Sequence, residues 1–310
     1  MTFFAFGESI LTVRYLLVEQ GDDVGQRIDN FLIRALKGVP KQKVYSILRR
    51  GEVRVNGKRI KPTYRLALND RLRIPPLETR EHAAVRFSEQ TAVQLEDAIV
   101  YEDSDLLVLN KPFGFAVHGG SSITAGVVEM MRTMRNLPRL ELAHRLDRDT
   151  SGCLLICKKR SVLKEAQAAF RERRVKKKYE LIVQGCWDVK CKTVQLRLHR
   201  YKTDWGERRV RVDDAGKVAR TDFEIRERAA RATLLEASLH TGRTHQIRVH
   251  TQSQKHPILG DDKYAFPSSP AAARLCLHAK RLVVPLGDDK LDVEAPMELS
   301  MQAIWREYAG

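Results

Sequence analysis

Three short stretches carry side chains with chemistry open to them. Asp147 lies in Leu142-Ala143-His144-Arg145-Leu146-Asp147-Arg148-Asp149-Thr150-Ser151-Gly152, with an arginine on either side of it. A carboxylate held so can attack an electrophilic carbon or take a proton. Tyr179, in Lys177-Lys178-Tyr179, offers a flat face for stacking and a hydroxyl for proton transfer. Arg248 falls in Thr241-Gly242-Arg243-Thr244-His245-Gln246-Ile247-Arg248-Val249-His250. Each has a plainer reading: an Asp-rich turn stabilises itself through side-chain to backbone bonds, and a Tyr in a strand packs against its cross-strand neighbour. His245, His250 and His256 are not at the i, i+4 spacing of a zinc helix, and the five cysteines give no paired C-x-x-C ligands. Polar packing is the reading for these histidines, and no metal is expected.

The elements around these stretches follow from periodicity. Apolar runs flank the Asp147 turn, so the carboxylate is expected where one strand gives way to a loop. Ile99-Val100-Tyr101 and Asp105 to Leu109 read as strands leading into Asn110-Lys111-Pro112-Phe113-Gly114 and Val117-His118-Gly119-Gly120. That glycine spacing fits neither phosphate-loop pattern. Val162, Leu163, Ala166, Ala169 and Phe170 fit a helix started by Ser161 and ended by a basic run from Arg171 to Lys178. Tyr179 to Val183 alternates as a strand. The Arg248 stretch fits either strand alternation or a helix capped by Thr244, and Pro257 ending the segment favours the helix.

Near the start, Ile28, Phe31, Leu32 and Leu36 recur at helical spacing, and Val44, Ile47 and Leu48 mark a second helix closed by Gly51. Val53 to Ile60 alternates around Asn56-Gly57, a strong hairpin signal. Between Val24 and Pro75 there are fourteen Lys or Arg against three acids, +11 of the net +16 of the 310-residue chain. Arg27, Arg49, Arg50 and Arg54 are candidates for phosphate contact there. Such a balance points to a polyanionic partner.

No apolar run approaches the ~20 residues of a spanning helix, so a membrane is a poor second to nucleic acid. Met1 to Glu8 lacks the basic start of a secretory signal, and the odd cysteine count argues against a disulfide framework. The protein is expected in the cytoplasm. The expected division is an extension over 1–19, a basic module over 20–78, a linker over 79–96 and a large domain over 97–310.

The Asp147 string, the Lys-x-Tyr element at Tyr179, the Gly-Arg-Thr-His-Gln-x-Arg-x-His string and the Leu277-His278-Ala279-Lys280-Arg281-Leu282 stretch together resemble the pseudouridine synthases that act on large-subunit ribosomal RNA. Residues 25–76 resemble an S4-type RNA-binding domain. The resemblance covers essentially residues 25–300. It implies an α+β chain, with a small S4-type module followed by a mixed, mainly antiparallel-sheet catalytic domain. It implies Asp147 as catalytic carboxylate, Arg248 paired with it to keep it ionised, and Tyr179 stacked on the target uracil. Arg145 would fill the space left by a flipped base, and Leu282 would wall the uracil pocket. His144, Lys111, Lys177 and Arg243 are the further substrate or RNA contacts. Phe113 departs from the pattern, standing where a small residue is expected.

The implied reaction turns uridine into pseudouridine, gains and loses no atoms, and needs no cofactor. The implied partner is 23S ribosomal RNA, free or in its precursor particle, and a monomer is expected. Two rival readings remain open. An RNA-binding module on an inactive scaffold leaves the three intact motifs unexplained. A carboxylate glycosidase needs a second acid, for which Asp149 is the only nearby candidate.

Overall fold

The computed structural model describes residues 12–19, 23–36, 38–77, 87–119 and 125–309. The chain divides into two units, 1–86 and 87–310.

In the first unit, β1 (Arg14–Leu17) precedes α1 (Ile28–Ala35) and α2 (Lys41–Arg50), followed by β2 (Arg54–Val55), β3 (Lys58–Arg59) and β4 (Arg71–Ile74). The helices form where the apolar spacing put them. Ile28, Phe31 and Leu32 bury one face of α1, Val44, Ile47 and Leu48 one face of α2, and Val53, Val55, Leu72 and Ile74 complete the core. Each such side chain contributes roughly 1.5–3 kcal/mol when fully buried. The Asn-Gly turn is present, with φ of 50° at Asn56 and 79° at Gly57, the positive values a tight hairpin needs at both central residues. The four strands order as β1-β4-β2-β3. The supposed extension over 1–19 is thus corrected in part: Arg14–Leu17 pairs antiparallel with Arg71–Ile74. Its alternation is only four residues long and exposes Tyr15 and Leu17, which hid it from a periodicity search.

The second unit opens with α3 (Glu89–Asp97), capped by Ser88, in the stretch expected to be linker. Only Leu95 of that helix is buried, so it carries little apolar signal. Next come β5 (Ile99–Glu102), β6 (Leu106–Lys111), α4 (Val127–Met134), β7 (Glu141–Leu142), β8 (Ser151–Cys157), α5 (Arg160–Arg171) and β9 (Lys176–Gln184). After them run β10 (Thr193–Lys202), β11 (Arg208–Val212), β12 (Lys217–Arg228), β13 (Ala232–Leu239), α6 (Gln246–Ser253), β14 (Leu277–Leu286), β15 (Asp289–Glu294) and α7 (Leu299–Ala309). Among the described residues these strands form one eleven-stranded sheet, ordered β11-β10-β12-β13-β9-β14-β8-β6-β5, with β15 on β14 and β7 on β8. Every pairing is antiparallel except β14 with β8. The architecture is α+β with a mixed, mainly antiparallel sheet, as expected.

β8 is buried along its whole length and therefore reads as an unbroken apolar run. Cys153 and Cys157 pack there as small hydrophobes, and burial pushes both thiols up to about 12. Gly152 makes the parallel pairing possible: its φ is +105°, and a Cβ would lie 2.3 Å from the carbonyl oxygen of Ala279 on β14. One core gathers around β6, β8, β14 and α5, and another around β9, β13, α6 and α7. α5 starts two residues earlier than a Ser161 cap would place it, and Ser161 lies inside its first turn without capping it.

Candidate active site

Asp147 stands in the loop between β7 and β8, where the flanking apolar runs predicted it, and its side chain is 34% exposed. The loop is stapled from beneath. Lys111, at the end of β6, is fully buried and donates to the carbonyl oxygens of Pro112 (2.8 Å), Phe115 (2.9 Å) and Arg148 (3.0 Å). Burial holds its ammonium down to about 7, with the Arg274 cation adding to the effect and Asp149 and Asp147 opposing it. The expectation of a substrate or RNA contact at Lys111 is corrected: its three donors are spent inside the protein, on the loop that presents Asp147. Phe113 also has its explanation. The buried Arg274 guanidinium lies over its ring at 4.6 Å, and Arg274 in turn binds Ser151 Oγ at 2.8 Å and Glu298.

His144, expected as a substrate or RNA contact, is held by structural partners. Its Nε2 accepts the backbone N–H of Leu155 at 3.0 Å, and its ring stacks on Phe170 of α5 at 4.7 Å. Burial lowers its pKa to about 3, with the Lys177 charge adding, so the ring is neutral. Arg145 beside it is exposed. Tyr179 on β9 is half-buried, and burial together with the negative charge of Asp147 raises its phenol well above the usual tyrosine range. It therefore keeps its proton and can donate it. Lys177 is half-buried with its ammonium depressed by burial and by Arg173. Leu282, the expected wall of the uracil pocket, pairs with Lys177 in the sheet and is 2% exposed, packed in the β8–β14 core.

The Arg248 stretch is a helix, as expected, but it begins at Gln246 and the cap is not Thr244. His245 precedes it in the left-handed conformation, φ 50°. Gln246 fastens the entry, donating to Arg220 O and Thr221 Oγ1 on β12 while accepting from Thr241 Oγ1 and the Arg243 N–H. Arg243 itself is half-buried against Val218 O at 3.3 Å. Arg248 is 1% exposed, and its partner is not Asp147. Its guanidinium grips Asp261 through Nε (2.8 Å) and Nη2, reaches Asp262 at 3.0 Å, and lies 5.2 Å from the centre of the Tyr264 ring. Asp261 also accepts the N–H groups of Lys263 and Tyr264. Gly260 makes that turn, since a Cβ there would overlap the Arg274 carbonyl. The expected ion pair with Asp147 is thus corrected: Arg248 acts on that carboxylate only through space.

His245 faces Asp147, with Nε2 3.8 Å from Asp147 Oδ2. Its Nδ1 lies 2.7 Å from the Tyr264 hydroxyl. Sequence reading assigned it to packing with His250 and His256, and for those two the assignment fits: His250 bonds Thr221 Oγ1 and His256 bonds Gln184 O. His250 is fully buried, and burial lowers its pKa to about 4. Because the unfolded ring binds a proton near 6.5 and the folded one does not, stability is expected to fall as pH drops from 6.5 to 4, by up to about 1.4 kcal/mol per pH unit from this ring. Urea titrations at pH 7 and 4.5 should show His250→Asn losing less on acidification than the wild type. Equal losses would contradict the assignment.

On the first unit, Arg49, Arg50 and Arg54 are exposed, while Arg27 and Arg50 also hold Asp29 and Glu52. A second basic surface escaped sequence reading. The β10–β11 hairpin exposes Arg197, Arg200, Lys202, Arg208 and Arg211, and carries Trp205 at its turn, 96% exposed. Arginines alternating with apolar residues on both sides of Asp204-Trp205-Gly206 were the signal available.

This arrangement of fold and motifs has known relatives. Residues 105–253 match the RNA pseudouridylate synthase family and residues 26–72 the S4 domain. The chain belongs to the pseudouridine synthases, which are isomerases. Within that family it is 48% identical to the ribosomal large subunit pseudouridine synthase C of Pasteurella multocida, over 94% of this chain and 93% of that protein. It is 49% identical to the protein of the same name from Escherichia coli K12, over 89% and 91%. Among solved structures, human RNA pseudouridylate synthase domain containing 4 superposes with a TM-score of 0.58 at 26% identity, covering 70% of this chain and 96% of that one. No helix among the described residues is long and apolar enough to cross a membrane.

Proposed function

We propose that the protein isomerises specific uridines of 23S ribosomal RNA to pseudouridine, with Asp147 as the reacting carboxylate. The observation that carries this reading is identity of 47–49% to proteins named for large-subunit pseudouridine synthesis, extending over 89–94% of the chain. The N1–C1′ bond breaks, the uracil turns, and C5 joins C1′. Asp147 serves either by attack at C1′ or by removing the C2′ proton to give a glycal. Both require a partly exposed carboxylate on a rigid loop, in keeping with the position of Asp147.

The target base must leave its stack, at a few kcal/mol. Arg145, exposed two residues before Asp147, fills the vacated space, and the Tyr179 ring stacks on the uracil. Holding its proton, Tyr179 works as a hydrogen-bond donor in preference to a base. Arg27, Arg49, Arg50 and Arg54, with Lys177 and Arg243, contact phosphates. The protein acts in the cytoplasm as a monomer, on 23S ribosomal RNA or its precursor particle and without a cofactor.

Incubation of purified protein with 23S ribosomal RNA transcript, followed by digestion to nucleosides and chromatography, should yield pseudouridine at a few sites per molecule. None formed on either transcript or precursor particles would overturn the reading. Removal of residues 1–86 should weaken RNA binding and flatten the plot of log K against log salt by about 2 or more, the share of three phosphate contacts at roughly 0.7 each. An unchanged slope would mean that the basic face of the first unit does not touch RNA.

A further inference from the structure

A line of hydrogen bonds leads from the β10–β11 hairpin to the side of Asp147. The backbone N–H of Val210 on β11 donates to the Tyr264 hydroxyl oxygen at 2.9 Å. The Tyr264 hydroxyl lies 2.7 Å from His245 Nδ1, and the two rings meet edge to face at 5.5 Å. Nε2 of the same imidazole faces Asp147 Oδ2 at 3.8 Å. His245 is 10% exposed, and its left-handed backbone turns the ring out of α6 toward the carboxylate.

The direction of these bonds follows from the first. A backbone N–H can only donate, so the Tyr264 oxygen accepts from Val210 and has its own proton free for His245. A neutral imidazole receiving that proton at Nδ1 acts there as acceptor and carries its N–H at Nε2. The ring is neutral because burial outweighs the pull of Asp147, with the Arg248 and Lys263 cations adding to the lowering and Asp261 opposing it. Thus a fixed N–H, with its tautomer set from outside the site, is aimed at one oxygen of Asp147.

We infer that His245 is a positioning residue for Asp147: its Nε2–H takes Oδ2 and leaves Oδ1 directed at the ribose. The inference rests on the reading of Asp147 as the reacting carboxylate. A separation of 3.8 Å is longer than a hydrogen bond, and contacts of this kind tighten when substrate is in place. The 34% exposure of Asp147 leaves it the freedom to make that movement. His245 does for the carboxylate what outer partners do for other reacting groups: it removes rotational freedom without itself touching the substrate.

The test is steady-state turnover of the full-length enzyme on 23S ribosomal RNA, for His245→Asn, His245→Gln and Asp147→Asn, with thermal unfolding of each. Asn tolerates the left-handed backbone but is too short to reach Asp147, whereas the Gln amide can put an N–H near the position of Nε2. His245→Asn should lower kcat by about 10- to 100-fold with KM nearly unchanged, the size of loss that follows from misplacing a reacting group. His245→Gln should recover part of that loss. Wild-type kcat in His245→Asn, or a Gln variant as slow as the Asn variant at equal stability, would overturn the inference. Turnover by Asp147→Asn would overturn the underlying reading as well, which keeps the two failures apart.

Discussion

Asp147→Asn is expected to abolish turnover, by at least about 10^3-fold, while leaving affinity for ribosomal RNA unchanged or slightly improved. The two halves of this expectation have separate causes. Asn nearly preserves the shape of the side chain but can neither attack C1′ nor accept the C2′ proton. It also removes one negative charge beside a polyanion, so the electrostatic contribution to binding can only rise. The loop should survive the change, since Lys111 and the Thr150 N–H hold it through backbone carbonyls and not through the carboxylate. Single-turnover kinetics and a binding titration on the same preparation check both parts. Residual turnover near the wild-type rate would move the chemistry to another residue.

Arg248→Met should lower the free energy of unfolding by about 3–5 kcal/mol. Arg248 and Asp261 are 1% and 0% exposed, so removal of the cation strands a carboxylate in the interior. Part of the loss should return in the double variant Arg248→Met with Asp261→Leu, because an apolar pair can replace a buried ion pair at little cost. Recovery will be incomplete, as Asp261 also receives the N–H groups of Lys263 and Tyr264. Turnover should fall too, since the same turn holds Tyr264 against His245. Urea unfolding of the single and double variants decides the matter: a single variant within about 1 kcal/mol of wild type would show that the pair contributes little.

Much of the fold was legible because it rests on local signals. The Asn56-Gly57 turn, the α1 and α2 faces and the unbroken apolar run of β8 each announce themselves within a dozen residues. So does the placement of Asp147 between strands. What remained hidden depends on partners distant in sequence. β1 is a strand only because Arg71–Ile74 lies beside it, and α3 buries a single leucine. The partner of Arg248 is thirteen residues away across a turn that Gly260 permits, and nothing in the periodicity distinguishes Asp261 from Asp147 as that partner. Lys111 and His144 share a feature that their sequence context does not show. Polar residues beside a motif suggest ligand contact, but both point inward and satisfy backbone groups of the loop and strand that carry the motif. His245 looked like packing because its hydrogen-bond partner and its target come from two other segments of chain.

The most direct test of the central claim is a map of pseudouridine in 23S ribosomal RNA from cells with and without this protein, using a chemical adduct that stops reverse transcriptase. The account predicts that a few defined stops vanish in its absence, return with the wild-type gene and fail to return with Asp147→Asn. A map that is the same with and without the protein would contradict it.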